Sequence, residues 1–408
     1  MKTAILSLLT GGIAGAVVGA AILADAHEDH APASAASRNC LRPAAWAVPG
    51  SEGPRPAQGP DIIAEMAKRD VVLLGEHHTD ADHHRWQLQT LAALQAQRPQ
   101  LVIGFEMFPR RAQPALDAWI AGELTEQQFL QRTEWEKFWK LAPELYMPLF
   151  QFARINRLRM VALNVDSELT EAITKKGWDG VPAERREGVS RPAAASRAYR
   201  DFLLTVYREH AAMRGKDEDK VSLTDSDFLN FVDSQQTWDR AMAEALAQYA
   251  KVPEGQTGPL VVGIMGTGHI RHGHGVPLQL RDLGVSRIGM LLPVGAHTPC
   301  DGIKKGLADA VFALPEQEQA KPPPPRLGVR LDQDGDAVRI VEVNAGSLAE
   351  ASGLKSGDRL LLLAGVAPKK VGEVVDVVRR APEGTWLPLQ VKRGEETLDI
   401  VVKFPAKK

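Results

Sequence analysis

Four short apolar runs in this sequence end in acidic or histidine side chains. These side chains are Glu76 and His78 after the first run, Glu106 after the second, Asp166 after the third and His269 after the fourth. In open α/β sheets, ligands bind outside the carboxyl ends of the parallel strands. We therefore expect these side chains to meet at one edge of a sheet, with the two histidines and Glu106 within roughly 10 Å of a common point, the size of a small-ligand site.

Two chemistries fit this set of side chains. Neutral imidazoles and a carboxylate bind a divalent metal with one position left for water, which makes His78, Glu106 and His269 candidate metal ligands. Alternatively, a histidine held by a glutamate acts as a general base without any metal, which makes Glu76 a fourth candidate catalytic residue beside those three. A purely structural role in hydrogen bonding is the third interpretation, and the residues alone leave all three open.

Glycines precede both histidines at the same distance, in the two GxxH segments Gly75–His78 and Gly266–His269. Glycine allows a sharp turn and a close approach of the backbone to a ligand. We expect the two segments to form equivalent halves of one site.

Other polar residues nearby have less certain roles. His83, His84 and Gln87 lie in the first turns of a predicted helix, where an exposed polar face explains them almost as well as a site does. His272 and His274 extend the last histidine-rich segment, and at least one of them is expected to be solvated.

The apolar runs predict the strands of a sheet that is covered on both faces. Such short, fully apolar segments separated by helices are typical of parallel sheets. The predicted strands are Val71–Leu74, Leu101–Phe105, Met160–Val165, Leu260–Met265 and Arg287–Leu292. Two long helical insertions are predicted between them, at about Arg110–Asn156 and Ser196–Ala250. The fold class is therefore α/β, with a largely parallel central sheet and helical insertions.

The N-terminal residues have the pattern of an export signal. Lys2 precedes an uncharged run from Ala4 to Ala24, and Ala24-Asp25-Ala26 forms a small-x-small cleavage site. We predict a signal peptide over residues 1–26 and hence a periplasmic or secreted protein. An uncleaved N-terminal membrane anchor is the alternative, because about 20 apolar residues can span a bilayer.

The remaining chain divides by composition. Residues 27–60 form an extended lead-in rich in Ala, Pro, Gly and Ser, and residues 61–314 form the α/β domain. Residues 315–325 end in four prolines and predict a stiff linker. Residues 326–408 alternate short strands with one helix, near Val371–Arg380, and predict a separate small α+β domain.

Charge and cysteine content limit the partners and the cellular compartment that can be expected for this protein. The 49 basic and 51 acidic side chains nearly balance, which gives no electrostatic reason to expect a nucleic acid. A homodimer remains open. Cys40 and Cys300 are the two cysteines, and we predict a disulfide between them because both lie at the margins of the α/β domain of an exported chain.

The first domain resembles a known family. The segments VVLLGEHHTDADHHRWQLQTL, LVIGFEMFPRR, MVALNVD and GTGHIRHGHGVPLQL are similar, in this order, to the ChaN-like domain of the Tiki/erythromycin-esterase superfamily. The resemblance implies a haem-binding protein of iron uptake with a tyrosine ligand, for which Tyr146 is our choice. Its Tiki relatives are metal-dependent peptidases, and its esterase relatives use a Glu/His site to open a lactone. The resemblance carries Glu76, His78, Glu106 and His269 over as active-site residues.

The last domain resembles PDZ domains. Residues 351–360, ASGLKSGDRL, contain the G-L-x-x-G-D-x-I/L part of the PDZ signature, at residues 353–360. The resemblance implies a C-terminal peptide or protein ligand, bound at the loop Arg326, Leu327, Gly328 and Val329, whose backbone N–H groups can hold a carboxylate.

The whole sequence therefore predicts an exported haem- and iron-binding protein with a peptide-binding PDZ domain. The alternative is a hydrolase, either a peptidase or an esterase, that uses a divalent metal or a Glu/His pair at the same site. Haem is the expected cofactor in the first case and a divalent metal in the second.

Overall fold

The computed structural model describes residues 41–213, 221–251, 258–295, 297–315 and 325–406. The predicted signal peptide, Cys40 and most of the proline-rich linker lie outside these residues. The chain divides into two compact units, residues 1–316 and 317–408, which are described separately. Within the described residues, no helix combines the length and the apolar character needed to cross a membrane.

The first unit is built on a mixed eight-stranded sheet in the order β2-β1-β8-β7-β3-β6-β4-β5. Its strands are β1 Ala45–Val48, β2 Arg55–Ala57, β3 Val71–Glu76, β4 Leu101–Pro109, β5 Arg159–Asn164, β6 Leu260–Gly266, β7 Ile288–Gly295 and β8 Ala310–Leu314. Neighbouring strands from β8 to β5 are parallel, whereas β1 pairs antiparallel with both β2 and β8. The predicted α/β class with a largely parallel sheet is confirmed.

The antiparallel edge was not predicted. Strands β1 and β2 lie within the segment interpreted as a lead-in, and β8 follows the last predicted strand. Each is only three to five residues long, and β1 and β8 are rich in alanine, so neither length nor β-branched residues mark them.

Helices cover the sheet. They are α1 Gly59–Met66, α2 Ala81–Gln97, α3 Gln113–Ala121, α4 Glu126–Arg132, α5 Trp135–Phe138, α6 Met147–Ile155, α7 Ser167–Lys176, α8 Arg197–Met213, α9 Ser226–Ala250 and α10 Val276–Asp282. Successive residues of β3 belong to opposite apolar cores, Val72 and Leu74 to one and Val71 and Leu73 to the other, because side chains alternate along a strand. This two-sided burial explains the uninterrupted apolar runs of the sequence.

Helix α9 lies very close to the sheet because two glycines face it. Gly104 of β4 and Gly263 of β6 are paired across the two strands. A Cβ atom at Gly104 would lie 2.8 Å from one methyl group of Leu246 in α9, and a Cβ atom at Gly263 would lie 3.2 Å from the other. The two glycines thus bring α9, which carries Asp239 two turns before Leu246, down onto the sheet.

The second unit is a small α+β domain, as predicted. Its five-stranded antiparallel sheet has the order β13-β12-β11-β10-β9. The elements are β9 Val329–Asp334, β10 Ala337–Val343, α11 Leu348–Ala351, β11 Arg359–Leu363, α12 Val371–Arg379, β12 Trp386–Arg393 and β13 Glu396–Lys403. Val338, Ile340 and Val391 belong to a core that is separate from the cores of the first unit.

Candidate functional site

Three neighbouring strands of the first unit, β3, β6 and β4, bring their polar residues into one buried cluster. His78 follows β3, His269 follows β6, and Glu106 lies near the end of β4. The Nε2 atoms of His269 and His78 are 3.5 Å and 3.9 Å from Glu106 Oε1. All three side chains are buried. The structure thus brings together the three residues predicted to share a site.

Glu76 holds His78 from behind. Its Oε1 accepts hydrogen bonds from His78 Nδ1 at 2.7 Å and from the Tyr146 hydroxyl at 2.8 Å. Its Oε2 accepts from Gln87 Nε2 at 2.9 Å and lies 3.3 Å from His84 Nδ1. Burial raises the pKa of Glu76, but His84 and His78 outweigh this and hold that pKa far below its usual range. Glu76 is therefore a carboxylate surrounded by donors.

Asp239 holds His269 in the same way. Its Oδ1 lies 2.6 Å from His269 Nδ1, and its Oδ2 accepts a hydrogen bond from the Tyr199 hydroxyl at 2.8 Å. Burial lowers the pKa of His269, but Glu106 and Asp239 outweigh burial and raise it to about 10. The His269 side chain is therefore protonated at neutral pH when no metal is bound.

Sequence reasoning missed both Asp239 and Tyr199, because they lie on helices rather than after strands. No periodic pattern marks Asp239, because α9 is buried on nearly all sides from Ser234 to Ala247 and carries other polar residues, such as Arg240, in the same stretch. Once buried, a carboxyl group needs a partner.

Glu106 has one satisfied and one unsatisfied oxygen. Oε2 accepts the N–H group of Gly266 at 2.7 Å, whereas Oε1 and His269 Nε2 are buried and have no hydrogen-bond partner within the described residues. A Cβ atom at Gly266 would lie 3.2 Å from the His78 ring, which explains the glycine of the second GxxH segment. Burial raises the pKa of Glu106, but His269 and His78 outweigh it, so the net shift is downward. An anionic oxygen therefore faces two imidazole nitrogens.

Asp166 does not belong to this cluster, contrary to the expectation from its position after a strand. Its Oδ1 accepts a hydrogen bond from Arg111 Nε at 2.7 Å at the margin of a cavity of about 560 Å³. Strand β5 is at the edge of the sheet, and Asn164 is the residue there that turns inward, donating to the carbonyl group of Glu106. Asp166 lies two residues farther along and points away.

Tyr146, our choice of haem ligand, is part of the site but is not offered to an outside ligand. It is fully buried, and its hydroxyl donates to Glu76. Burial, followed by Glu76, raises its pKa well above the usual value, so the phenol keeps its proton. The structure places Tyr146 behind His78 rather than on a surface.

The remaining histidines have different surroundings. His83 and His84 are buried, which excludes the alternative of an exposed polar face for them, and His84 Nδ1 lies 3.3 Å from Glu76 Oε2, at the site. Burial lowers the pKa of His83 to about 4, and its Nδ1 accepts the N–H group of His77. His272 is exposed and His274 half-buried, in agreement with the expectation that at least one is solvated.

The loop of the second unit predicted to bind a carboxylate has a fixed backbone. The carbonyl groups of Leu327 and Gly328 accept hydrogen bonds from the N–H groups of Ala349 and Asn344, both at 2.9 Å. Gly328 has φ +78°, and a Cβ atom there would lie 2.3 Å from the Cβ of Ser347. This position therefore requires glycine.

Beside this loop, between β9 and α12, lies a groove of about 330 Å³. Its lining includes the aliphatic side chains of Leu327, Val329, Leu331, Val374 and Val378 and the charged residues Arg326 and Arg379. A groove lined by aliphatic side chains and two arginines suits an extended peptide with an apolar side chain and a terminal carboxylate. The four predicted loop residues, Arg326 to Val329, all line this groove.

Comparison with known proteins identifies both units. The family model for haem-binding uptake proteins of the Tiki superfamily, ChaN, matches residues 62–280, and a PDZ-domain model matches residues 325–404. No match was found among curated proteins.

Among solved structures, the chain is similar to a ChaN protein of Campylobacter jejuni with cofacial haem binding. The identity is 18%, the match covers 67% of this chain and 98% of that chain, and the TM-score is 0.50, which shows a shared fold. Weaker matches include the HtrA3 PDZ domain bound to a phage-derived ligand (19% identity, 19% of this chain and 82% of that chain, TM-score 0.18). A serine endoprotease from Yersinia pestis matches at a similar level (18% identity, 20% of this chain and 29% of that chain, TM-score 0.18). These low scores support no conclusion about the second unit.

Proposed function

Because this chain belongs to the haem-binding uptake (ChaN) family of the Tiki superfamily, we propose that it is an exported haem- and iron-binding protein. Its PDZ domain recruits a peptide or protein partner to the same chain. The observation that carries the proposal is the family match across residues 62–280. Export is supported by the charged start, the apolar run and the small-x-small site of residues 1–26.

The haem ligand is not Tyr146 in this proposal. A tyrosine binds haem iron as a phenolate, whereas the buried Tyr146 keeps its proton and donates a hydrogen bond to Glu76. Tyr199 is equally buried and donates to Asp239. The phenols behind the two site histidines therefore do not fit the role.

The other two tyrosines, Tyr249 and Tyr207, are half-buried, and because Arg159 lies over the ring of Tyr249 whereas apolar side chains surround the other, we choose Tyr207. It is half-buried on α8, and its ring lies 5.1 Å from that of Phe231 and 5.7 Å from that of Phe228. Leu229, between these two phenylalanines, is 41% exposed. Phe228 is fully buried, so the accessible apolar surface here consists of Leu229 and the half-buried rings of Tyr207 and Phe231, and a planar apolar cofactor needs such a surface. Tyr207 would hold the iron, and the helix pair α8 and α9 would supply the apolar contacts.

Titration of the full chain with haemin tests the proposal. We expect a shift of the Soret band, its loss in Tyr207→Phe, and its retention in the matched controls Tyr146→Phe and Tyr249→Phe. If a different tyrosine variant loses the shift, the ligand assignment is wrong and haem binding stands. If the wild-type protein gives no shift, the haem proposal is wrong.

Hydrolysis is the second candidate, and one observation favours it. Within the described residues, Glu106 Oε1 and His269 Nε2 are buried without hydrogen-bond partners and lie 3.5 Å apart, and His78 Nε2 is 3.9 Å from the same oxygen. Such separations exceed a hydrogen bond and approach the roughly 3.3 Å between neighbouring ligands on a tetrahedral metal.

The fit to a metal is partial. Across the described residues, no group of three or more His, Cys, Asp or Glu side chains is arranged as a complete metal site. His78, His269 and Glu106 would hold a divalent cation only after the 3.9 Å distance from His78 to Glu106 shortens. A bound cation would supply an activated water molecule. Glu76 and Asp239 would keep both imidazole rings oriented.

Without a metal, the same residues give a weaker case for catalysis. His269, whose pKa is raised to about 10 by Glu106 and Asp239, holds its proton at neutral pH and is therefore a weak general acid, because an efficient one has a pKa near the working pH. Metal analysis of the purified protein, run alongside the haemin titration, separates these alternatives. If the protein contains a stoichiometric divalent metal and does not bind haemin, the metal-dependent hydrolase is favoured.

A further inference from the structure

We infer that Asp239 and Tyr199 are positioning residues that fix the ring of His269 for work at Glu106. Tyr199 donates to one oxygen of Asp239, and the other oxygen is 2.6 Å from His269 Nδ1. The three groups form a continuous chain of hydrogen bonds from α8 through α9 to the end of β6. The inference deepens the second candidate function, hydrolysis at this cluster, on which it rests, because it concerns residues that act through the histidine and touch no ligand themselves.

A second chain of hydrogen bonds, built from the same residue types, supports this role. On the other side of the site, Tyr146 donates to Glu76 at 2.8 Å, and Glu76 bonds His78 Nδ1 at 2.7 Å. The order of groups is tyrosine, carboxylate and histidine in both chains. Two segments from different parts of the sequence thus hold two histidines through the same ring nitrogen.

Both chains aim at one atom. Because each Nδ1 atom lies against a carboxylate, it carries a proton, and each Nε2 atom is left facing the central oxygen Glu106 Oε1. A hydrogen bond from the far nitrogen to a carboxylate is the usual way to fix the orientation and tautomer of a working histidine. Two such arrangements converging on one carboxylate oxygen are unlike ordinary core hydrogen bonding.

The surrounding backbone leaves room for Asp239 at this position. Gly275, which follows the histidine-rich segment, has φ +52°, and a Cβ atom there would lie 2.9 Å from Asp239 Oδ1. The same Cβ would lie 2.6 Å from the carbonyl oxygen of His269. Aspartate is shorter than the glutamate of the other chain, so its helix must come close to the sheet, as Gly104 and Gly263 allow.

Nitrogen-15 NMR of the histidine rings in the full-length, chelator-treated protein tests the inference. In the wild type, His269 should show a protonated Nδ1 with a far-downfield proton, because its bond to the carboxylate is short. Asp239→Asn should move or abolish that signal and leave the His78 signal unchanged. Glu76→Gln is the matched control and should do the reverse. Asp239→Glu should restore the His269 signal in part.

A merely structural role predicts a different result. In that case Asp239→Asn would lower thermal stability while the His269 Nδ1 signal kept its wild-type position, and this outcome would overturn the inference. Tyr199→Phe retains Asp239 and covers the case in which Asp239→Asn does not fold. It should shift the His269 signal by less than Asp239→Asn does, and an unchanged signal would contradict the three-membered chain.

Titration with Co²⁺ provides a readout at the site itself. If the wild type binds Co²⁺, Asp239→Asn should weaken binding about ten- to a hundredfold, the usual effect of losing the partner of a ligating histidine. Unchanged affinity in that variant would count against the positioning role. If the wild type does not bind Co²⁺, the metal-dependent candidate function fails, and the NMR result alone decides the inference.

Discussion

Buried carboxyl groups and imidazoles are packed together around Glu106, and the protonation state of each group depends on the charge of its neighbours. Burial alone would neutralise every member of such a group. Instead, the pKa of Glu76 and of Glu106 is lowered, and that of His78 and of His269 is raised, because opposite charges outweigh burial in each case. The site is therefore a set of ion pairs whose loss on either side of neutral pH should be measurable.

At the scale of single residues, we expect the metal-free protein to lose stability between about pH 6.5 and pH 10. The pKa of His269 is raised to about 10 in the folded state. A histidine whose pKa is raised on folding contributes its full stabilisation of the folded state at pH values below its unfolded pKa of about 6.5. This contribution is lost as the pH rises through the folded pKa. The free energy of unfolding in urea should fall by more than about 1 kcal/mol from pH 6.5 to pH 9.5, since one pKa unit is about 1.4 kcal/mol.

The control for this prediction is Asp239→Asn, which removes one of the two groups that raise the pKa of His269. Its free energy of unfolding should fall less over the same pH range. Equal slopes in the variant and the wild type, or a wild-type stability that rises with pH, would show that His269 is not protonated in the folded protein.

At the scale of elements, the contact between α9 and the sheet depends on small residues. We expect Gly104→Ala to lower the free energy of unfolding by about 1–3 kcal/mol, the usual cost of an overpacked core. The new Cβ would lie 2.6 Å from a methyl group of Leu163 and 2.8 Å from one of Leu246. Urea unfolding measures the change. Gly302→Ala is the matched control, because nothing lies within 4 Å of its Cβ position, and equal effects of the two variants would refute the close-packing explanation.

The groove between β9 and α12 gives a prediction for the PDZ unit. The full chain should bind a peptide with an aliphatic last residue and a free carboxylate, with a dissociation constant on the order of micromolar, because one added strand buries little area. Fluorescence anisotropy with acid and amide forms of one peptide measures the contribution of the carboxylate. The amide should bind more weakly if backbone N–H groups of the loop at Gly328 hold the carboxylate, as we predict, and equal binding would contradict the proposed loop.

At the scale of the whole molecule, the predicted disulfide between Cys40 and Cys300 would close a loop around nearly the entire first unit. Cys40 lies outside the described residues, so the pairing stays a prediction. Leu41, the next residue, belongs to the same apolar core cluster as Ile303, which supports it. Chain-entropy reasoning gives an upper stabilisation of roughly 5 kcal/mol for such a loop. Thiol counting on unfolded, unreduced protein should find none, and two free thiols per chain would end the proposal.

The sequence by itself determined the two units, the parallel strands and three members of the site. Apolar runs could be recognised as buried strands because both faces of the sheet are covered. The polar residues near their ends were predicted to lie close together because parallel strands share a carboxyl edge. His78, Glu106 and His269 follow from this local rule. The short antiparallel strands at the sheet edge escaped it, because their few residues carry no periodic signal.

Only the tertiary structure decided which side chains complete the site. Asp239 and Tyr199 come from helices far along the chain, and their place beside His269 depends on how closely α9 packs against the sheet. Asp166 obeyed the strand-end pattern and yet points elsewhere, because its strand is at the edge. Tyr146 was our choice of haem ligand and is a buried hydrogen-bond donor. Sequence spacing specifies where a strand ends, whereas the direction and the partner of a side chain are set by packing between elements that are distant in sequence.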